Sequence, residues 1–177
     1  MVMMRKILFV IIISYIAYSQ EIQEKVNMSL HNCFGNNIQI DFEKYKLNNE
    51  LKNVIEKKVS QKFFSNEVYL YKVFLDKKLI GYGLLDNVYG KSLPITFLVM
   101  FDANGKIQCS EIIKYREPYG GAIQSREWNE QFKGKNINSD FIVGKDVSGI
   151  SGATISVNSV TKGIKKMTLL LQEIISK

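Results

Sequence analysis

The sequence of 177 residues is poor in the side chains that most often build metal sites and redox pairs. It contains one histidine, His31, and two cysteines, Cys33 and Cys109. These numbers exclude a CxxC redox pair and a zinc site with the usual set of cysteine and histidine ligands. In an oxidising compartment the two cysteines could form a disulfide, and their spacing is equally consistent with two separate thiols. In either arrangement we expect them to be structural rather than catalytic.

A long apolar run is also missing. The most apolar stretch, residues 7–13, is shorter than the roughly 20 residues that a membrane-spanning helix needs. It follows Arg5 and Lys6 and precedes Ala17-Tyr18-Ser19, an arrangement typical of a cleaved signal peptide. We therefore expect a signal peptide at residues 1–19, a mature chain beginning at Gln20, and an exported protein that is periplasmic or extracellular. The alternative is an uncleaved N-terminal anchor, which would keep the protein associated with a membrane.

The positive charge is not concentrated in any one segment. The sequence has 24 basic and 17 acidic residues, and removal of residues 1–19 leaves 22 basic and 17 acidic residues, a net charge of +5. The lysines are spread along the chain without a dense block and without arginines interleaved with aromatic residues, so we expect no nucleic-acid partner. An anionic cofactor or membrane surface is compatible with this charge.

Hydrophobic periodicity predicts a single α+β domain. Apolar residues recur every three or four positions between residues 45 and 64, which predicts an amphipathic helix. A period of two then indicates strands at residues 68–75, 79–88, 95–101 and 106–115, and residues 38–42 alternate like a short strand. Asn104-Gly105 between apolar runs predicts a hairpin. A short helix follows around Trp128 and Phe132, and a final helix begins at about Ser156. This order predicts an antiparallel or mixed sheet packed by an N-terminal and a C-terminal helix.

The small residues before the final helix fit two familiar catalytic motifs poorly. Gly149-Ile150-Ser151-Gly152-Ala153 approaches the Gly-x-Ser-x-Gly pattern of serine hydrolases, but Ala153 replaces the second glycine. That fold also needs its histidine after the serine, whereas His31 lies far upstream. A P-loop fails as well, because Ile150 and Ser151 stand where lysine and its hydroxyl partner are required. The residues alone favour an ordinary capped helix over an anion site.

Ser151-Gly152-Ala153-Thr154 resembles the flavinylation motif of the FMN-binding domain family. The best-known members are the flavin-carrying subunits of the sodium-translocating NADH:quinone reductase and of the Rnf complex. In the family pattern, Asp-x-x-(Ser/Thr)-Gly-Ala-(Thr/Ser), the last hydroxyl carries FMN through a phosphoester bond, and here that residue is Thr154. The motif aspartate, which belongs to what the flavin transferase recognises, is replaced by Ser148, and Asp146 lies two positions away.

The resemblance extends upstream to residues 115–121, Tyr-Arg-Glu-Pro-Tyr-Gly-Gly, which are similar to the Glu-Thr-Pro-Gly loop that approaches the flavin ring in the family. Residues 131–135 match its Phe-x-Gly-Lys element, and residues 102–105 match its hairpin. The resemblance therefore implies a set of cofactor-binding residues in two segments: Glu117, Pro118, Tyr119, Gly120 and Gly121, with Ser151, Gly152, Ala153 and Thr154. It implies an FMN-binding domain at residues 66–177, preceded by an N-terminal extension with a helix at residues 20–65.

The function that the resemblance implies is that of an exported flavoprotein with covalent FMN, an electron-transfer carrier rather than a stand-alone catalyst. A threonine hydroxyl is a weak nucleophile, and no base stands beside Thr154 in the sequence, so self-attachment is not expected. The implied partners are a separate flavin transferase, which takes FMN from FAD, and an unidentified redox partner, for which a membrane-bound protein is one option. The alternative is a non-redox ligand-binding module that has kept the fold without covalent flavin.

Overall fold

Five antiparallel strands in simple chain order form one sheet in the computed structural model, which describes residues 20–176. The strands are β1 (Gln39–Lys46), β2 (Glu67–Leu75), β3 (Lys78–Tyr89), β4 (Pro94–Asp102) and β5 (Ile107–Lys114). The helices are α1 (residues 20–34), α2 (Asn49–Val59), α3 (Arg126–Glu130) and α4 (Thr154–Ile175), with a 3₁₀ turn at Gly121–Gln124. The α+β prediction is confirmed. The predicted signal peptide lies outside the described residues.

The turn between β4 and β5 is stabilised by hydrogen bonds to a side chain within the turn itself. One carboxylate oxygen of Asp102 accepts hydrogen bonds from the backbone N–H groups of Asn104 and Lys106, both at 2.9 Å. Gly105 has a φ of 81°, a conformation that glycine adopts without steric cost. This turn places β5 beside β4, as the Asn-Gly signal predicts.

Helices cover both faces of the sheet. On one face, α2 and α4 pack over apolar side chains such as Leu70, Leu84 and Phe97. On the other face, Val26 and Leu30 of α1 are fully buried in a separate cluster of apolar side chains from the strands. Because both faces are covered, β4 is buried along residues 95–101, which explains its continuous apolar run.

The helix α1 was not predicted. Residues 20–43 carry only a weak pattern, in which Ile22, Val26 and Leu30 recur at intervals of four among polar residues. The structure also decides between the two arrangements left open for the cysteines, because Cys33 at the end of α1 forms a disulfide with Cys109 of β5.

The helix α2 is shorter than the pattern at residues 45–64 predicts. Asn48 caps its start by accepting a hydrogen bond from the backbone N–H of Leu51 at 2.7 Å, and Ser60 ends it in a left-handed conformation with φ of 53°. Tyr45 instead belongs to β1, which pairs with β2 along eight positions. Part of the predicted extension at residues 20–65 therefore lies in the same sheet, and the domain division at residue 65 stays a prediction.

None of the helices within residues 20–176 is both long and apolar enough to span a membrane.

Candidate functional site

The first turn of α4 is the site to which the sequence motifs point. Thr154 is the first residue of this 22-residue helix, and Ala153 occupies the N-cap position without a side-chain hydrogen bond to the helix. By contrast, Asn48 and Ser125 each cap their helices by accepting from a backbone N–H group. The first N–H groups of a helix have no acceptor within the helix and carry a partial positive charge. The start of α4 is therefore suited to an anion.

Residues 148–153 lead into α4. Hydrogen bonds fix this segment at Ser148, and there is open space beside it at Gly152. Trp128 donates its indole N–H to the carbonyl oxygen of Ser148 at 2.9 Å, and the backbone N–H of Ser148 donates to Gln131 at 2.6 Å. Gly152 has a φ of 77°, and a Cβ at this position would meet no atom within 4 Å. Thr154 is exposed beyond it. The backbone at Ser148 is thus held by hydrogen bonds, while Thr154 is an exposed residue.

The loop at residues 115–121 lies directly against this segment. Gly120 has a φ of 82°, and a Cβ there would lie 2.8 Å from the hydroxyl of Tyr115 and 3.2 Å from the Cβ of Ala153. Only glycine permits this close approach. The hydroxyl of Tyr115 donates to the carbonyl oxygen of Tyr119 and lies 3.0 Å from the hydroxyl of Ser156 in α4. The structure therefore brings the two predicted motifs together.

Glu117 is engaged with the turn between β3 and β4. One of its carboxylate oxygens accepts hydrogen bonds from the backbone N–H groups of Leu93 at 2.9 Å and Ser92 at 2.6 Å. These bonds lower the pKa of Glu117 below its ordinary value. In this arrangement the carboxylate orders the loop, whereas Pro118 is exposed and the side chain of Tyr119 is 83% exposed.

Asp146 is the acidic residue nearest to the motif position that Ser148 occupies. Its carboxylate is bound by Lys135 and by backbone N–H groups of the loop that contains it. It pairs with Lys135 at 2.8 Å and accepts from the backbone N–H groups of Ile142 at 2.6 Å and Phe141 at 3.1 Å. Partial burial by itself would raise the pKa of Asp146, but the hydrogen bonds from Lys135 and the backbone outweigh it and lower the pKa to about 2. Asp146 therefore closes the loop at residues 141–147.

A groove beside α4 was not predicted from the sequence. It has a volume of about 490 Å³ and lies between α4, the end of β3 and residues 60–64. Tyr89 and Phe64 line it with their rings 5.2 Å apart. On α4, Asn158 and Lys162 follow Thr154 at intervals of four as exposed residues, and this spacing is the signal that could have indicated the groove.

A larger groove of about 690 Å³ lies between α1, α3 and β5 and includes neither Thr154 nor the loop at residues 115–121. Within residues 20–176, no group of three or more His, Cys, Asp or Glu side chains is arranged to hold a metal ion.

Comparison with known proteins identifies the region that contains both motifs. Residues 90–168 match the family model of the FMN-binding domain. Over 136 residues the chain is 29% identical to a subunit of the Na(+)-translocating ferredoxin:NAD(+) oxidoreductase complex of Acetobacterium woodii. This alignment covers 70% of the present chain and 65% of the relative, so the chain spans just under two thirds of the length of the curated protein that it matches.

Proposed function

We propose that this chain is an exported electron-transfer flavoprotein with FMN attached to Thr154, because residues 90–168, which contain both motifs, match the family model of the FMN-binding domain. Bound FMN supplies the redox chemistry by accepting and passing on electrons, while the protein supplies position and electrostatics. The family resemblance seen in the motifs is confirmed by the match. The covalent bond, the export and the individual site residues are the parts that we add as proposals.

The observation that carries the proposal is the position of Thr154, an exposed residue that begins a helix without a side-chain cap. A phosphoester on this oxygen would lie beside the free N–H groups of the first turn of α4, where the helix dipole favours negative charge. Gly152 leaves open space next to it, and Ala153 is buried, so it presents little side chain toward the phosphate. These residues fit the phosphate end of FMN.

Attachment requires a separate flavin transferase. The oxygen of Thr154 would form a bond to the FMN phosphorus of FAD, the pyrophosphate bond would break, AMP would leave, and the hydroxyl proton would pass to a base of the transferase. Within residues 20–176, Glu117 is the acidic residue of the adjacent loop, and its carboxylate is already bound to the turn between β3 and β4. The chain therefore offers Thr154 as an acceptor rather than as a self-activating nucleophile.

The loop at residues 115–121 has two proposed tasks. Through Gly120 it packs against Ala153, and through the hydroxyl of Tyr115 it is joined to α4, so it holds the start of the helix in place. The same loop presents the exposed ring of Tyr119. We propose that Glu117 contributes by ordering this loop, and that Pro118 and Gly121 shape its path next to the cofactor.

The relative from Acetobacterium woodii is named as a subunit of a complex that transfers electrons between ferredoxin and NAD⁺ and translocates Na⁺. For the present chain we propose the coarser role of passing electrons to or from a membrane-associated partner. The position of the motifs after a predicted signal peptide supports a location outside the cytoplasm, where a covalent bond prevents loss of the cofactor.

The test is co-expression of the full chain with a flavin transferase, followed by peptide mass spectrometry and by flavin fluorescence of the denatured protein. We expect FMN on the peptide containing Thr154, none in Thr154→Ala, and retained modification in Thr154→Ser. Ser156→Ala serves as the control, because it removes a neighbouring hydroxyl and should still be modified.

A variant at Ser148 distinguishes lost recognition by the transferase from failure of the proposal itself. If the wild-type chain is unmodified and Ser148→Asp is modified, the replacement of the motif aspartate has cost this chain its recognition by the transferase used. If neither carries FMN beside an active transferase and a modified positive control, the proposal is wrong, and the non-redox binding module becomes the better hypothesis.

A further inference from the structure

We propose that the surface around the groove beside α4 is the docking site for a redox partner protein whose own contact surface is apolar and acidic. This docking surface consists of three exposed apolar residues and three exposed lysines: Phe64, Tyr89, Leu93, Lys62, Lys91 and Lys162. The inference rests on the proposed function, since it names the chemistry of the partner that exchanges electrons with FMN on Thr154.

The apolar residues of the docking surface are held next to one another by the fold. The rings of Phe64 and Tyr89 lie 5.2 Å apart, although the two residues are 41% and 65% exposed. Tyr89 ends β3, and the backbone N–H of Gly90 donates to the carbonyl oxygen of Leu93 at 3.0 Å, which closes the turn that follows. Leu93 is itself 42% exposed. Neighbouring large apolar residues that remain in water are typical of interaction surfaces.

The docking surface borders the proposed attachment site on two sides. The backbone N–H groups of Ser92 and Leu93 donate to the carboxylate of Glu117, which belongs to the loop beside the start of α4. On α4, Asn158 lines the groove and donates its side-chain amide to the carbonyl oxygen of Thr154 at 2.8 Å. A partner bound to this surface would therefore lie next to the flavin, as electron transfer between the two proteins requires.

The groove within the docking surface is concave, and its walls are fixed. Its volume is about 490 Å³. Gln61 donates its side-chain amide to the carbonyl oxygen of Ser159 at 2.9 Å, and Lys166 donates to the carbonyl oxygen of Lys62 at 3.0 Å, so both bonds tie residues 60–64 to α4. A protruding segment of a protein can fill such a groove with good shape complementarity, whereas a flat lipid surface cannot. The shape therefore favours a protein partner over a membrane.

The charge of the docking surface favours an acidic partner. Residues 60–66, 87–94 and 155–162 contain three lysines and no acidic residue. Of the 22 basic residues from Gln20 onward, the other 19 are accompanied by all 17 acidic residues. Exposed lysines without acidic neighbours attract a surface of opposite charge and speed association with it.

The same charge disfavours a second copy of this chain as the occupant. A two-fold interface sets one surface against itself, so it would bring the lysines of one copy towards those of the other. The phosphoester on Thr154 does not reverse the sign, because its negative charge would lie at the positive start of α4.

The test measures electron transfer from the full flavinylated chain to acceptors of different charge. Mass spectrometry first verifies FMN on Thr154 in each variant, and the flavin is then reduced anaerobically with a stoichiometric amount of dithionite. Stopped-flow absorbance follows its oxidation by plastocyanin, which has an acidic and apolar contact surface, by basic cytochrome c, or by neutral benzoquinone. Each protein acceptor takes one electron, so two molecules oxidise one reduced flavin and its protons pass to the solvent. Benzoquinone takes both electrons together with two protons.

Reversing the lysines should slow the reaction with the acidic acceptor alone. For Lys62→Glu/Lys91→Glu/Lys162→Glu we expect the rate constant with plastocyanin to fall about tenfold and that with cytochrome c to rise, while benzoquinone reacts as with the wild type. Tyr89→Ser/Leu93→Ser should slow the reaction with plastocyanin several-fold even at high salt, because loss of apolar contact is not screened. Circular dichroism verifies the fold of each variant.

A matched control reverses three exposed lysines at the other end of the sheet, Lys78→Glu/Lys106→Glu/Lys133→Glu. Lys78 begins β3, Lys106 lies in the turn between β4 and β5, and Lys133 precedes Gly134, whose backbone N–H donates to Ile107 at the start of β5. This variant changes the net charge equally. At an ionic strength of about 0.1 M, where exposed charges more than about 10 Å apart are largely screened, its rate constants should stay within about twofold of the wild type.

Equal slowing by the two triple variants would mean that net charge, and not this surface, governs docking, and the inference would be wrong. Vesicles of phosphatidylglycerol that bind the wild type but not the triple variant of the docking surface, with unchanged transfer to plastocyanin, would identify a membrane contact instead. A wild-type dimer in sedimentation that this variant disrupts would assign the surface to a second copy. Each of these results leaves the proposed function standing if FMN is on Thr154. If the wild type carries no FMN there, the mass spectrum reports that failure separately, and the inference falls together with the proposed function.

Discussion

The hydroxyl of Tyr115 lies 3.0 Å from the hydroxyl of Ser156 and also bonds the carbonyl oxygen of Tyr119. A tyrosine hydroxyl has one proton, so when it donates to the carbonyl it accepts from Ser156. Ser156 is buried in the first turn of α4, and Tyr119 belongs to the neighbouring loop. One phenol oxygen therefore couples two segments that lie 41 residues apart in the chain.

We predict that Tyr115→Phe destabilises the protein by about 1–2 kcal/mol, because two hydrogen bonds worth about 1 kcal/mol each are lost while the ring remains. Urea unfolding followed by circular dichroism measures the change. Tyr119→Phe is the matched control, since the Tyr119 side chain is 83% exposed, and its stability should stay within about 0.5 kcal/mol of the wild type. Equal stability of both variants would show that the hydrogen bonds of the Tyr115 hydroxyl contribute nothing to the free energy of unfolding.

The buried pair of Asp86 and Lys166 gives a second prediction. Their charged atoms lie 3.2 Å apart, and the side chains are 4% and 0% exposed. Burial raises the pKa of Asp86 and lowers the pKa of Lys166, and the attraction between the two charges opposes both shifts. Lys166→Met leaves a buried carboxylate without its partner and should cost about 3–5 kcal/mol.

The double variant Asp86→Leu/Lys166→Met tests whether the cost of Lys166→Met comes from the buried carboxylate that is left unpaired. It removes both charges, so we expect it to be more stable than Lys166→Met alone. Urea midpoints of the wild type, both single variants and the double variant complete the cycle. A double variant that is the least stable of the four would contradict this account.

The disulfide leads to a third prediction. It joins α1 to β5 across a sequence separation of 76 residues, and it holds the helix that covers the second face of the sheet. Cys33→Ser/Cys109→Ser should lower the free energy of unfolding by about 2–5 kcal/mol. Because both cysteines pack against the cluster on the face covered by α1, whereas Thr154 begins the helix that packs on the other face, flavin content should be unchanged. Loss of redox activity with flavin still attached would show that the cysteines are catalytic rather than structural.

The fourth prediction concerns acid stability. The pKa of Asp146 is lowered to about 2 in the folded protein, below its ordinary value near 3.8. Its contribution to stability is therefore complete above about pH 4 and is lost as the pH falls towards 2. Asp146→Asn should be less stable than the wild type at pH 7, and the difference should shrink towards pH 2. Urea unfolding at a series of pH values measures this, and a difference that grows on acidification would contradict the assignment.

Local sequence signals predicted most of the sheet and the last helix. The period of two located β2 to β5 within one or two residues, and Asn104-Gly105 located the β4–β5 hairpin, because alternation and turn chemistry depend on neighbouring residues. The C-terminal helix was predicted from Ser156 and begins at Thr154. The small difference arises because Ala153, which has no capping side chain, occupies the N-cap position, so no sequence signal marks the first residue.

The motifs named two segments, which the fold brings against each other, but they did not show how the side chains of those segments are arranged. The resemblance grouped Glu117 with Tyr119 and Gly120, yet the carboxylate of Glu117 is bound to the turn between β3 and β4. Tyr89 and Phe64 belong to separate elements, and nothing in their local sequence shows that their rings meet.

The sequence by itself determined the period of strands β2 to β5 and of the last helix, the position of the β4–β5 turn and the resemblance carried by Ser151-Gly152-Ala153-Thr154, since each depends on residues a few positions apart. Only the tertiary structure decided that α1 covers the second face, that Cys33 and Cys109 are joined, and that Tyr115 meets Ser156. These contacts connect residues far apart in the chain, and they depend on which apolar surfaces bury each other when the whole sheet folds. No local pattern contains that information.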